Sequence, residues 1–195
     1  MGTGRFFRHY RAVKRLAGID ISVEMLREAA QRTCDLSGET SVTLERGDVF
    51  GLRFADGEFE ATIVWRLLHL LPVELLPKAI RELCRVTRDQ VIAQTYAAVP
   101  PPADLPRGAY DTAVGHLRRV ASRIAGPRLR SVLRGAWSSP TTETTKPWDH
   151  IEAFWHSQTD IDEMFKSQGF DRSLSVVLDT YDNSEVRATV YQRSE

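Results

Sequence analysis

Four short stretches of the 195-residue chain carry residue types that could do chemistry together: Gly2-Thr3-Gly4, Asp20-Ile21, Asp48-Val49 and Trp65-Arg66-Leu67-Leu68-His69. Glycines let the backbone come close to a ligand, and a helix start beyond them favours a carboxylate or a phosphate. A carboxylate at Asp20 can accept two hydrogen bonds from ribose hydroxyls, and one at Asp48 can accept from an adenine amino group. Ile21 and Val49 can pack on the base. Taken jointly, the order and spacing of these residues describe an adenosyl ligand, although each piece alone is weak. Gly2-x-Gly4 is a common turn, Asp20 could cap the following helix, and the third glycine of a dinucleotide fingerprint would fall at Phe7.

These residues need elements to position them. "RLAGIDI" (15–21) is an apolar run of strand length that ends the approach to Asp20. Ser22 is placed to cap a helix whose apolar positions Met25, Leu26, Ala29 and Ala30 follow helical spacing, with Gly38 in the turn after it. "SVTLERGDV" (41–49) opens with strand alternation, and "FEATIVWRLL" (59–68) reads as a buried strand running into a loop. Pro72 opens a helix carrying Leu76, Ala79, Ile80 and Leu83 on one face, and "DQVIAQTYA" (89–97) is the next strand. A first helix is expected over 5–14. Alternation of helix and strand through residue 97 predicts an α/β fold, a mostly parallel sheet with helices on both faces. In such a sheet, ligands sit beyond the carboxyl ends of the strands, which is where the four stretches fall.

Beyond residue 97 the pattern changes. "VPPPADLP" breaks it, helical spacing returns over 110–125, and residues 105–135 hold seven arginines against one aspartate. Thr159 and Asp162 resemble a capping box for a helix ended by Gly169, and "SLSVVLDTY" and "EVRATVYQR" form a terminal antiparallel hairpin. The chain thus reads as one domain: a cofactor-binding half (1–97), a lid and acceptor insertion (98–157), and a terminal helix and hairpin (158–195).

At this point the sequence resembles the class I S-adenosylmethionine-dependent methyltransferases, in the branch of small-molecule enzymes close to the type 11 methyltransferases. "GTGRFF" is similar to the tail of that family's glycine-rich first motif, and "GIDISVEMLREA" to its second strand, ribose-binding acid and following helix. "ERGDVFGLRFADGEFEATIVWRLLHLL" is similar to the adenine-binding acid and the fourth strand with its loop, and "AIRELCRVTRDQVIAQTY" to the next helix and strand. The resemblance is dense over residues 2–97 and returns weakly at "DIDEMFKSQGF" and the hairpin. It implies a Rossmann-like fold, S-adenosyl-L-methionine as cofactor, and methyl transfer to a small organic acceptor. Gly2, Gly4, Asp20, Ile21, Asp48 and Val49 are the implied cofactor-binding residues, with Arg66 touching the methionyl part through its backbone. His69 is the first choice for a catalytic base, since imidazole titrates near neutrality; packing within its own loop is the competing role. No metal site is expected.

The family's first strand and the acid and glycine that follow it have no counterpart before Gly2. Three accounts compete: a misassigned start, a truncated gene product, or a repaired sheet in which residues 15–21 pair directly with 60–66. A chain without that strand is expected to bind the cofactor weakly and to be marginally stable. Two further readings stand beside the enzyme: an inactive methyltransferase-like remnant, and a basic interaction protein using residues 105–135.

Composition sets outer bounds. The chain is 42% hydrophobic and 27% charged, with zero formal net charge, so it is not built throughout as a polyanion binder, and nucleic acid is disfavoured as a partner. No apolar run approaches the roughly 20 residues of a membrane span. Cys34 and Cys84 share no metal-ligand spacing and read as two reduced thiols of a cytoplasmic protein. The first 15 residues carry five basic and no acidic residues, a transit-peptide charge pattern that a surface helix explains equally. Tyr110, His116, Trp137, Trp148, His150, Trp155 and His156 are candidate acceptor-pocket residues, pointing to an aromatic-lined site.

Overall fold

The computed structural model describes residues 2–10, 13–36, 39–98, 154, 156–181 and 184–194. Gly38, the 105–135 arginine cluster, and Tyr110, His116, Trp137, Trp148, His150 and Trp155 lie outside the described residues. The chain forms two compact units, one holding residues 2–53 and the other holding the described residues from Phe54 onward.

In the first unit, β1 (Arg15–Asp20) pairs in parallel with β2 (Ser41–Arg46), in register from Arg15↔Ser41 to Asp20↔Arg46. A two-stranded ladder is marginal alone, so α1 (Val23–Gln31) packs on both strands. Ser22 caps α1 as the sequence predicts, its Oγ accepting the Met25 N–H at 3.2 Å. Of the four apolar positions expected on the inner face, Ala29 is fully buried, Leu26 is half-buried, and Met25 and Ala30 are exposed. The core is small: Phe7, Ala29 and Leu36, with Tyr10, Leu16, Val42 and Leu44 against it. The helix expected over 5–14 is a single 3-10 turn, Phe7–His9. Burial of the Phe7 ring holds that turn, with the Tyr10 N–H on the Phe7 carbonyl.

The second unit is a four-stranded sheet in the order β3-β4-β6-β5, made of β3 (Phe59–Val64), β4 (Thr87–Ala98), β5 (Phe170–Tyr181) and β6 (Ser184–Arg193). β3 and β4 are parallel; β6 runs antiparallel to both β4 and β5. The fold is α/β, with the hairpin added at one side as expected. Among the described residues β1 and β2 form a two-stranded sheet within the first unit, and β3 to β6 a four-stranded sheet within the second. β3 is also less buried than its apolar content suggests, since Glu60 and Ala61 are exposed and only Val64 is fully covered.

α2 (Leu76–Val86) and α3 (Gln158–Lys166) contact each other, and both pack against β4. α2 buries Leu76, Ala79, Ile80, Leu83, Cys84 and Val86, the spacing of one helical face. It starts four residues later than expected. Pro72 instead opens a turn closed by the Leu75 N–H on its carbonyl, and Pro77 occupies the first helical turn, where a missing N–H costs nothing. α3 likewise starts at a different cap: Ser157 accepts the Asp160 N–H, in place of the Thr159–Asp162 pair. Thr159 lies one residue inside the helix. Gly169 follows α3 with φ +77°, the left-handed turn expected of it.

Arg193 joins the two ends of this unit. Its guanidinium donates to the carbonyls of Cys84, Thr87 and Arg88, where α2 passes into β4, and it lies over the Phe170 ring. Arg193→Met keeps apolar contact with Phe170 and removes all three bonds. It should lower stability by about 1–2 kcal/mol, the low end of the range for charged hydrogen bonds because the side chain is partly solvated. Denaturant unfolding measures this.

Candidate functional site

In the first unit the site begins with Asp20, the last residue of β1. Its Oδ2 accepts the Gly2 N–H at 2.7 Å and its Oδ1 accepts the Ser22 N–H at 3.0 Å. One carboxylate therefore ties the glycine turn to the start of α1. Partial burial pushes the Asp20 carboxyl up, but the backbone donors of Ser22 and Gly2 together with the N-terminal amine hold the group below the usual carboxylate range.

The two glycines serve differently. Gly4 has φ +71° and is buried; a Cβ there would meet the Phe7 ring at 3.0 Å and Ala29 Cα at 3.1 Å. Gly2 has φ +63° and open space where a Cβ would stand. Asp48 lies just past β2, at the same strand ends as Asp20: the Gly47 N–H donates to the Asp20 carbonyl. Asp48 is exposed, and its Oδ1 accepts the Phe50 N–H at 3.0 Å, which shapes the turn after it. Ile21 is 67% exposed, an apolar side chain at the rim beside Asp20, and Val49 is half-buried. The structure thus brings Gly2, Asp20 and Ser22 together by direct bonds, and places Ile21, Asp48 and Val49 at the same end of the parallel pair.

In the second unit the chain leaves β3 at Val64, two residues short of the expected strand end. The reason is Arg66, with φ 56°, the one non-glycine residue with positive φ among the described residues. Such strain clusters at functional sites. Its N–H donates to Oε1 of the buried Gln94 at 3.1 Å. The following 3-10 turn, Leu68–Leu70, buries His69, whose ring stacks on Tyr96 with centroids 4.1 Å apart. His69 Nδ1 is buried without a hydrogen-bond partner. Burial, then the charges of Arg66 and His156, lower the His69 pKa to about 4. The imidazole is therefore neutral near pH 7.

His156 is buried, its Nε2 3.2 Å from the Leu68 carbonyl and its N–H on the Tyr96 carbonyl. It acts here as a brace for the turn that carries His69. Sequence reasoning did not single out Gln94 or Tyr96. The available signal was a glutamine inside the otherwise apolar run "VIAQTYA", since a polar side chain in a buried strand needs a partner. Cys34 and Cys84 are free thiols; Cys84 is buried, and burial pushes its thiol up to about 12 against the opposing charge of Arg193.

Two measurements follow from this geometry. A left-handed backbone costs an ordinary residue roughly 1–2 kcal/mol, so Gly2→Ala should destabilise by about that much. Gly4→Ala should cost clearly more, because its Cβ also collides with Phe7 and Ala29; paired thermal melts compare them. His69, held neutral when folded, binds fewer protons than the unfolded chain between about pH 4 and the ordinary histidine value near 6.5. Stability contributed through it therefore falls as the pH drops through that window. His69→Gln should flatten the slope of unfolding free energy against pH there, leaving it unchanged above pH 7.

Residues 1–90 match the family model described as a methyltransferase domain. Over 74 residues the chain is 32% identical to the demethylmenaquinone methyltransferase of Desulfitobacterium hafniense (strain Y51), a match that takes in 37% of this chain and 28% of that protein. The chain thus spans little more than a quarter of the curated relative it matches. Among solved structures, magnesium protoporphyrin IX methyltransferase from Synechocystis PCC 6803, with bound S-adenosylhomocysteine, aligns at TM-score 0.63 with 18% identity, over 99% of this chain and 71% of that one. Geranyl diphosphate C-methyltransferase from Streptomyces coelicolor A3(2) aligns at TM-score 0.62 with 12% identity, over 98% of this chain and 68% of that one. Residues 1–90 thus resemble a methyltransferase domain, and the chain shares the fold of these solved methyltransferases.

Proposed function

We propose that this chain binds S-adenosyl-L-methionine and catalyses transfer of its methyl group to a small organic acceptor. The observation that carries the reading is the Asp20 carboxylate at the end of β1, bonded to the glycine turn on one side and to the start of α1 on the other. Gly2 and Gly4 give the backbone its close approach, Ile21 and Val49 offer apolar contact to the adenine, and Asp48 accepts from its amino group. Arg66, with its left-handed backbone, is the proposed contact of the methionyl part.

When bound, S-adenosyl-L-methionine supplies a methyl carbon on a positively charged sulfur, which departs with the bonding electrons as the acceptor atom bonds the carbon. The chain's own residues bind, orient and exclude water, and orientation alone contributes up to about 7–11 kcal/mol to such reactions. His69, neutral near pH 7 when folded, is the proposed acceptor of the proton. A group of such low pKa is a weak base, suited to a proton made acidic as the methyl bond forms. The acceptors named for the relatives are chemically unlike one another, and the fold does not choose among them. The placement in the cytoplasm expected from the reduced thiols belongs to the same proposal.

The alternative is a methyltransferase-like remnant that binds the cofactor poorly. Calorimetric titration with S-adenosylhomocysteine separates the two. Saturable binding, weakened about tenfold or more by Asp20→Ala, a loss of roughly 1.4 kcal/mol, supports the enzyme. Absence of saturable binding at millimolar ligand supports the remnant.

A further inference from the structure

Val64 is the last residue of β3 in register with β4, opposite Ala93. Two residues later the backbone at Arg66 turns left-handed, a conformation that a bulky residue does not hold unaided. The next residue along β4 is Gln94, 7% exposed, and its Oε1 takes the Arg66 N–H at 3.1 Å. In a continuing ladder a main-chain carbonyl would accept from β3. Here a side chain accepts instead, and the chain departs without leaving a buried donor unmade. Alternation along a strand puts Gln94 and Tyr96 on the same face of β4. Tyr96 holds the His69 ring by stacking. One face of β4 therefore grips the loop twice, at the Arg66 backbone and at the His69 ring, while the Phe154 N–H donates to the His69 carbonyl at 2.7 Å.

We infer that Gln94 is a positioning residue of this site: by fixing the turn at Arg66 it delivers the His69 ring onto Tyr96, with Nδ1 buried and unbonded. This rests on the reading of His69 as the proton acceptor. The groups facing that ring are Arg66 of its own loop, His156 of the segment beside it, and Tyr96 of β4.

The test is NMR of the full chain with labelled histidine, the His69 ring resonances being assigned by their loss in His69→Gln. Stacking on Tyr96 should displace them upfield in the native chain. Gln94→Leu removes the acceptor. It should abolish that displacement and raise the His69 titration midpoint from about 4 toward 6.5, as the ring leaves its buried place. Gln94→Glu retains an acceptor for the Arg66 N–H and should keep the upfield displacement. A folded Gln94→Leu chain with His69 shifts and midpoint unchanged overturns the inference, as does a Gln94→Glu chain that loses the displacement. Should Gln94→Leu not fold, the Gln94→Glu result decides alone. Full methyl transfer by His69→Gln would instead sink the proton-acceptor reading and leave the ring-shift outcome for Gln94 standing.

Discussion

Strand β4 sets the terms for its whole unit. It is buried along most of its length, so every main-chain donor and acceptor on it must find a partner within the protein. β3 takes one edge in parallel and β6 the other in antiparallel. α2 runs straight into it: Val86 ends the helix and Thr87 begins the strand, its hydroxyl donating back to the Leu83 carbonyl. Where β3 stops short, the demand for pairing passes to a side chain, and Gln94 meets it. The loop geometry around His69 is thus a consequence of how a buried ladder ends.

The first unit solves a different problem. Two strands and one helix bury few large side chains, and Phe7 supplies the only aromatic ring fully inside among its described residues. Gly4 fits between Phe7 and Ala29 because it has no Cβ, so the same atom count that allows close ligand approach also allows the core to close. Asp20 then links the turn to α1 through two backbone donors. Its negative charge is held at the start of a helix, where the helix dipole favours it. Asp20, the proposed ribose contact, is in this way also structural.

The α3 side of the sheet shows how polar groups are kept inside without loss. Gln158 donates to Asp162 and to the Tyr191 hydroxyl and accepts from Thr95, while Tyr191 donates to Asp162 and Arg172 pairs with the same carboxylate. Phe165 stacks on the Tyr191 ring, with centroids 3.8 Å apart. Each group has a partner, so the network fixes how α3 lies on the sheet rather than weakening it.

The sequence by itself determined what depends on neighbours along the chain. Strands at 15–21, 41–47 and 89–97, the Ser22 cap, the left-handed Gly169 and the terminal hairpin follow from local patterns of apolarity, capping and backbone freedom, and the structure places them within a few residues. The glycine turn and the acids at strand ends were legible for the same reason, as residue types at fixed spacing. Tertiary structure alone decided where helices begin when two caps compete, as with Ser157 over Thr159, and that the strands divide into two sheets. It also decided that Arg66 turns left-handed and that His69 is buried with its pKa depressed. Those outcomes depend on groups distant in sequence, Gln94 and Tyr96 on β4 and His156 beyond residue 153, and on the exclusion of water around them. Neither a local pattern nor a residue's ordinary pKa contains that information.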